Sequence, residues 1–205
     1  MMGAVLDLSR LKAGFADPAR ESQSIFRRLL DAFAQPGLLQ NVADAPEPPT
    51  GISQSAAAIL LTLADMDTPL WLHAELRGGE AETWLRFHCA CPITDIPAEA
   101  AFGLIDAGVG MPDLGSFNHG DAKYPDRAAT LVVMVDALVG GDTVVLEGPG
   151  IETQRLIAPC GLPANFWEQR SDVVSQFQLG IDIVLCAHDA FLALPRSTRI
   201  QQEKA

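Results

Sequence analysis

A chain of 205 residues with a formal net charge of -12 at pH 7 and 48% hydrophobic residues is long enough for one substantial core. Its acidic balance and the lack of any Lys/Arg cluster exclude non-specific binding to nucleic acid or to an anionic membrane, since both reward clustered cations. The longest apolar run, residues 56–64, falls well short of the ~20 residues that cross a bilayer, and Cys89, Cys91, Cys160 and Cys186 lack the pattern of a small secreted scaffold, so a soluble, cytoplasmic protein is expected.

Residues 1–16 have no clear period and read as an N-terminal arm; a single α/β domain is expected over 17–200, with a tail over 201–205. Asp17-Pro18 supplies an N-cap and a proline at the first helical position. Ile25, Phe26, Leu29, Leu30 and Phe33 then fall on one face until Gln35-Pro36-Gly37 stops the helix, with Arg27, Arg28 and Asp31 on the other face. Ser53 can cap a second helix through Asp65 whose Ala, Ile and Leu content leaves almost no polar side, so this helix is expected to be buried. A short strand over 68–73, a helix over 80–88 ended by Cys91-Pro92, a helical turn at 97–101 and a strand at 102–105 follow. Residues 106–127, rich in Gly, Pro, Asp and Asn, read as a long loop, and loops of that length are usually functional, mobile or part of an interface.

Strands are expected at 129–135 and 143–147, joined by a turn at Gly140-Gly141-Asp142, and again at 152–158 after Gly148-Pro149-Gly150. Residues 163–174 place Phe166, Trp167, Arg170 and Val173 or Val174 at helical spacings. Two runs, 179–186 and 191–198, close the chain around His188-Asp189 as a β-hairpin, and their Ile, Val and Leu content marks a hairpin covered on both faces. Helices early and strands late give an α/β fold with a mixed, largely antiparallel-containing sheet covered by helices.

No arrangement of residues carries catalysis on its own, and no catalytic residue is assigned. His88-Cys89-Ala90-Cys91 holds ligand types that zinc prefers, but not at a usual zinc spacing, so buried thiols and a capping or core histidine are expected, with no metal. Closely spaced cysteine runs for an iron-sulfur cluster are missing. Of the three lysines, only Lys123 lies in the body of the chain, in an acidic loop, which leaves pyridoxal phosphate without a Schiff-base partner; no cofactor is expected. The glycine turns match neither the Walker loop nor the dinucleotide fingerprint, and Ser116 near His119 is not in a nucleophile elbow. Candidate ligand-binding residues are Arg86 and His88, which could reach a substrate phosphate or make surface pairs, and Asp182 and Arg196, which bracket the closing hairpin as a site or as strand-end anchors. Arg27 and Arg28 could meet an acidic partner surface or pair with Asp31 across one turn.

Four segments, in order, resemble the PhnH family: Ser24-Ile25-Phe26-Arg27-Arg28-Leu29-Leu30 continuing through Pro36-Gly37; Ala58 to Leu72, including Asp65-Met66-Asp67-Thr68-Pro69-Leu70-Trp71; Leu85-Arg86-Phe87-His88 followed by Cys91-Pro92; and Leu179-Gly180-Ile181-Asp182 through Leu194-Pro195-Arg196-Ser197-Thr198. The resemblance implies an accessory subunit of the bacterial carbon-phosphorus lyase system, working with PhnG, PhnI and PhnJ in forming ribose 1-methylphosphonate 5-triphosphate from ATP and methylphosphonate. A subunit with its own phosphonate or nucleotide site is the alternative. The resemblance also implies a homodimer when isolated, and a fold like the large domain of pyridoxal-phosphate-dependent transferases without the cofactor. Radical chemistry, with its iron-sulfur cluster, belongs to another subunit of that system.

Overall fold

The computed structural model describes residues 11–202 apart from positions 43 and 176, so most of the expected arm and residues 203–205 of the expected tail lie outside the described residues. Helix α1 (Pro18–Ala34) begins where the Asp17 side chain accepts the Arg20 N–H at 3.2 Å and Glu21 returns a bond to the Asp17 N–H at 3.0 Å. It buries Ile25, Leu29 and Ala32, whereas Phe26 and Leu30 stand 46% and 53% exposed. The apolar stripe in the sequence is therefore wider than the face that the fold covers. Helix α2 (Gln54–Leu63) is capped by Ser53, buries Ser55 through Leu60, and packs against both α1 and α3 (Glu80–Cys89).

The central sheet has seven strands: β1 (Gln40–Asn41), β2 (Leu70–Leu72), β3 (Ile93–Thr94), β4 (Phe102–Asp106), β5 (Thr130–Met134), β8 (Asp182–Ala187) and β9 (Ala190–Leu194). Their spatial order is β1-β9-β8-β5-β4-β2-β3. Every pair from β3 to β8 is parallel; only β9 on β8 and β1 on β9 are antiparallel. The sheet is thus mixed, as its spacing predicts, with its parallel share larger than the late run of strands suggests. The cause is that neighbouring strands in sequence are joined by crossovers. Residues 107–129 cross over as short 3-10 turns between β4 and β5, with Asp106 and Asp113 side chains capping two of them.

A second sheet, β10-β6-β7, is antiparallel and built from β6 (Val144–Glu147), β7 (Arg155–Ile157) and β10 (Arg199–Gln202). Gly140-Gly141-Asp142 therefore does not join a hairpin, because β5 is flanked by β4 and β8 while β6 pairs elsewhere. Gly141 instead donates to the Ala158 carbonyl at 2.9 Å, and a Cβ there would run into the Pro159 carbonyl. The turn through Gly148 and Gly150 does link the β6–β7 hairpin, both glycines having positive φ. Strand β10, absent from the sequence reading, runs to Gln202.

Alternation along the central strands divides the core. Val132 and Met134 of β5, Val184 and Cys186 of β8, and Phe191 and Ala193 of β9 face the layer of α1, α2 and α3. Leu131 and Val133, Ile183 and Leu185, Leu192 and Leu194 face the other layer, where the second sheet and helix α4 (Phe166–Val173) lie. The closing hairpin is covered on both faces, as its composition requires, and turns through only His188 and Asp189, with His188 at φ 45. Its tip is tied to α2, since the His188 carbonyl accepts the Ser55 N–H at 2.8 Å.

Candidate functional site

Antiparallel pairing of β8 with β9 sets the start of one strand beside the end of the other, with Ile183 opposite Leu194. Asp182 and Arg196 meet there. The Asp182 carboxylate accepts the Arg196 backbone N–H at 2.7 Å and the Nη2–H at 2.5 Å, while Nη1 donates to the Pro125 carbonyl at 2.7 Å. Both side chains are largely covered, at 14% and 18% exposure, so the pair joins the hairpin to the long crossover loop.

Arg86 and His88 occupy a different place, on α3 in the helical layer. Arg86 Nε donates to Glu82 Oε1 at 2.8 Å across one helical turn, and the other Glu82 oxygen accepts the Gly78 N–H at 2.8 Å. Burial alone would raise the Glu82 carboxyl, but the Gly78 N–H and the Arg86 guanidinium outweigh it and hold it below its usual value. His88 Nε2 lies 3.0 Å from the Lys12 carbonyl, which also accepts Trp84 Nε1–H at 2.9 Å, and a Cβ on Gly14 would sit 2.8 Å from His88 Nδ1. His88 thus seats the segment that leads into α1. Among the described residues no bond or ion pair links Arg86 or His88 to Asp182 or Arg196.

Arg27 is exposed on α1 and Arg28 half-buried, and neither forms an ion pair with Asp31 among the described residues. Around His88-Cys89-Ala90-Cys91 the chain leaves α3 through Ala90 at φ 55, which turns Cys91 inward beside Cys89. Both thiols are buried; the Cys91 thiol and then burial push Cys89 upward, and burial pushes the Cys186 thiol up to about 12. Among the described residues no three His, Cys, Asp or Glu side chains are grouped as metal ligands would be. Lys123 is exposed, with its ammonium 4.9 Å from the Tyr124 ring centroid.

A cleft of about 500 Å³ opens between α4 and β10, away from every sequence-derived candidate except Arg196. Arg170 and Arg199 line it with Ser171, Ser175 and Ser197. Arg170 is 1% exposed; its Nη1 donates to the Thr198 carbonyl at 3.0 Å and its Nη2 to the Pro195 carbonyl at 2.8 Å. Its Nε and the buried Thr198 hydroxyl have no partner. Burial lowers the Arg170 guanidinium to about 10, with Asp182 acting in the opposite sense, so it stays charged at neutral pH. The signal for this residue was present in the sequence: Arg170 follows Phe166 by four positions on the helical face that turns inward.

Residues 13–201 match the family model described as bacterial phosphonate metabolism protein (PhnH). Over 189 residues, covering 92% of this chain and 94% of the relative, the sequence is 42% identical to the alpha-D-ribose 1-methylphosphonate 5-triphosphate synthase subunit PhnH of Rhizobium meliloti (strain 1021). It is 30% identical, over 91% of its own length and 89% of the relative's, to a Stutzerimonas stutzeri protein named provisionally as C-P lyase subunit protein HtxG. In the described residues no helix is long and apolar enough to cross a membrane.

Proposed function

The chain belongs to the PhnH family of bacterial phosphonate metabolism proteins, and on that premise we propose that it is an accessory subunit of a carbon-phosphorus lyase complex, contributing surface and not a nucleophile. The observation that carries this reading is the match to a relative named as a synthase subunit over 94% of that relative's length. Its partners are the other subunits, PhnG, PhnI and PhnJ, and its reaction context is formation of ribose 1-methylphosphonate 5-triphosphate from ATP and methylphosphonate in the cytoplasm. The isolated chain is a homodimer.

Surface chemistry supports the choice of contact face. Exposed Phe26 and Leu30 flank Arg27 and Arg28 on α1, and apolar anchors beside arginine are the composition of energetically important interface patches. The mixed seven-stranded sheet, parallel from β3 to β8 with β9 reversed, underlies the further reading that the fold is that of a pyridoxal-phosphate transferase large domain without the cofactor. Exposed Lys123 offers no buried Schiff-base amine there.

Co-expression with the three partner subunits, followed by native affinity capture, tests the subunit role. Capture of at least one of them is expected, reduced about tenfold by Phe26→Ser combined with Arg27→Glu. A chain that emerges free of all three overturns the reading.

A further inference from the structure

We propose that the cleft between α4 and β10 is a binding site for an organic phosphate-type dianion, with Arg170, Ser197 and Arg199 as its principal donors. This goes beyond the subunit role and does not depend on it.

Charge is the first argument. The chain as a whole is strongly acidic, yet the residues lining this cleft include three arginines and no carboxylate. One of the three, Arg196, is neutralised by Asp182. The other two have no ion-pair partner among the described residues: Arg170 is hydrogen-bonded only to carbonyl oxygens, and the Arg199 side chain has no hydrogen bond there, although the residue sits opposite Glu147 in the β10–β6 register. The buried Arg170 guanidinium has no carboxylate in hydrogen-bond contact, and the charge of Asp182 offsets only part of its desolvation cost, so its proton affinity is displaced downward. A doubly charged ligand matches two such groups better than a single carboxylate does, and a phosphate monoester carries about -1.5 to -2 at pH 7.

Unmet hydrogen bonding is the second argument. Buried polar atoms normally have partners, and each exception calls for a cause. Here two exceptions fall together, since the Arg170 Nε and Thr198 Oγ1 both lack partners while the same two residues touch through Nη1 and the Thr198 carbonyl. Ser175 brings a hydroxyl from the turn after α4 and Ser197 one from the turn before β10, whereas the Ser171 hydroxyl donates to the Trp167 carbonyl at 2.8 Å. Donors converging from separate elements suit an anion with acceptors in several directions, whereas a planar carboxylate uses one fork.

Size is the third. At about 500 Å³ the cleft holds more than an inorganic anion, and Val174 and Ile200 give it an apolar wall for an organic body.

Calorimetric titration of the full chain tests the site, with phenyl phosphate as the organic probe, inorganic phosphate as the bare anion, and benzoate as the carboxylate control, all at matched ionic strength. Saturable binding of phenyl phosphate is expected, weaker for phosphate and at least about tenfold weaker for benzoate. Arg199→Gln, whose side chain is exposed, and Ser197→Ala, which removes only a lining hydroxyl, should each weaken phenyl phosphate, the first about tenfold or more, while unliganded thermal stability holds. The absence of saturable binding of phenyl phosphate at millimolar concentration overturns the proposal. So does equal binding of benzoate, or affinity unchanged in both variants. Capture of partner subunits by Arg199→Gln is measured alongside, so that failure of the anion site and failure of the subunit role are read separately.

Discussion

Asp182 holds Arg196 at both ends of that residue, by its backbone N–H at 2.7 Å and by its guanidinium at 2.5 Å. One carboxylate thereby closes the β8–β9 hairpin, and the arginine carries the closure onward to the Pro125 carbonyl. Asp182→Ala leaves a mostly covered guanidinium unpaired and is expected to destabilise the fold by roughly 2–4 kcal/mol. A double-mutant cycle with Arg196→Ala, measured by urea unfolding, should give a coupling of roughly 1–3 kcal/mol. A coupling near zero would show that the pair is not the anchor described.

Glycine substitutions separate backbone strain from steric collision. Gly150 sits at φ +82 with the Ala34 carbonyl where a Cβ would go, at the point where the β6–β7 turn meets the end of α1. Gly150→Ala should cost roughly 2–4 kcal/mol, since both terms apply. Gly78 has φ +68 but open space around it, so Gly78→Ala should cost only about 1 kcal/mol. Equal costs in urea unfolding would contradict this assignment.

Thiol accessibility follows the layers. Cys89, Cys91 and Cys186 are buried in the helical-side core, and Cys160 is half-exposed with its Sγ 3.3 Å from the Val139 carbonyl. Titration of the native chain with DTNB should modify Cys160 alone, and all four thiols should react in urea. Rapid native reaction of Cys186, whose thiol burial pushes up to about 12, would contradict its placement.

Acid sensitivity has one identified source on α3. Because Glu82 is held below its usual value near 4.5 in the folded chain, its contribution is fully present above that value. It is lost as pH falls through the lower folded value. The stability difference between the chain and Glu82→Gln should therefore be constant from pH 6 to 8, about 1 kcal/mol or less, and shrink below about pH 4.5. A difference that grows on acidification would reverse the sign argued here.

Element identity was legible from the chain because it depends on local pattern: Asp17-Pro18, Ser53 and the apolar closing hairpin all act where the sequence places them. Partner choice was not. The run 129–135 reads as a strand, but nothing local distinguishes a hairpin with 143–147 from parallel insertion between β4 and β8. Phe26 and Leu30 carry the same ambiguity, since periodicity gives a face and only the packed layers decide its width. Among the site candidates, Asp182 and Arg196 could be paired on chain spacing across a hairpin. The cleft lined by Arg170 and Arg199 could not, because β10 reaches α4 only after pairing with β6, a contact between distant parts of the chain.

Strand β10 gives the chain an order of events. The β6–β7 hairpin belongs to the excursion between adjacent strands β5 and β8, and its third strand is supplied by residues 199–202, beyond the last strand of the central sheet. During synthesis the central strands can assemble while that outlying sheet still lacks a member, so the second layer is completed only once residues 199–202 have emerged. A protein clipped at Thr198 would keep the strands of its main sheet and lose this latch.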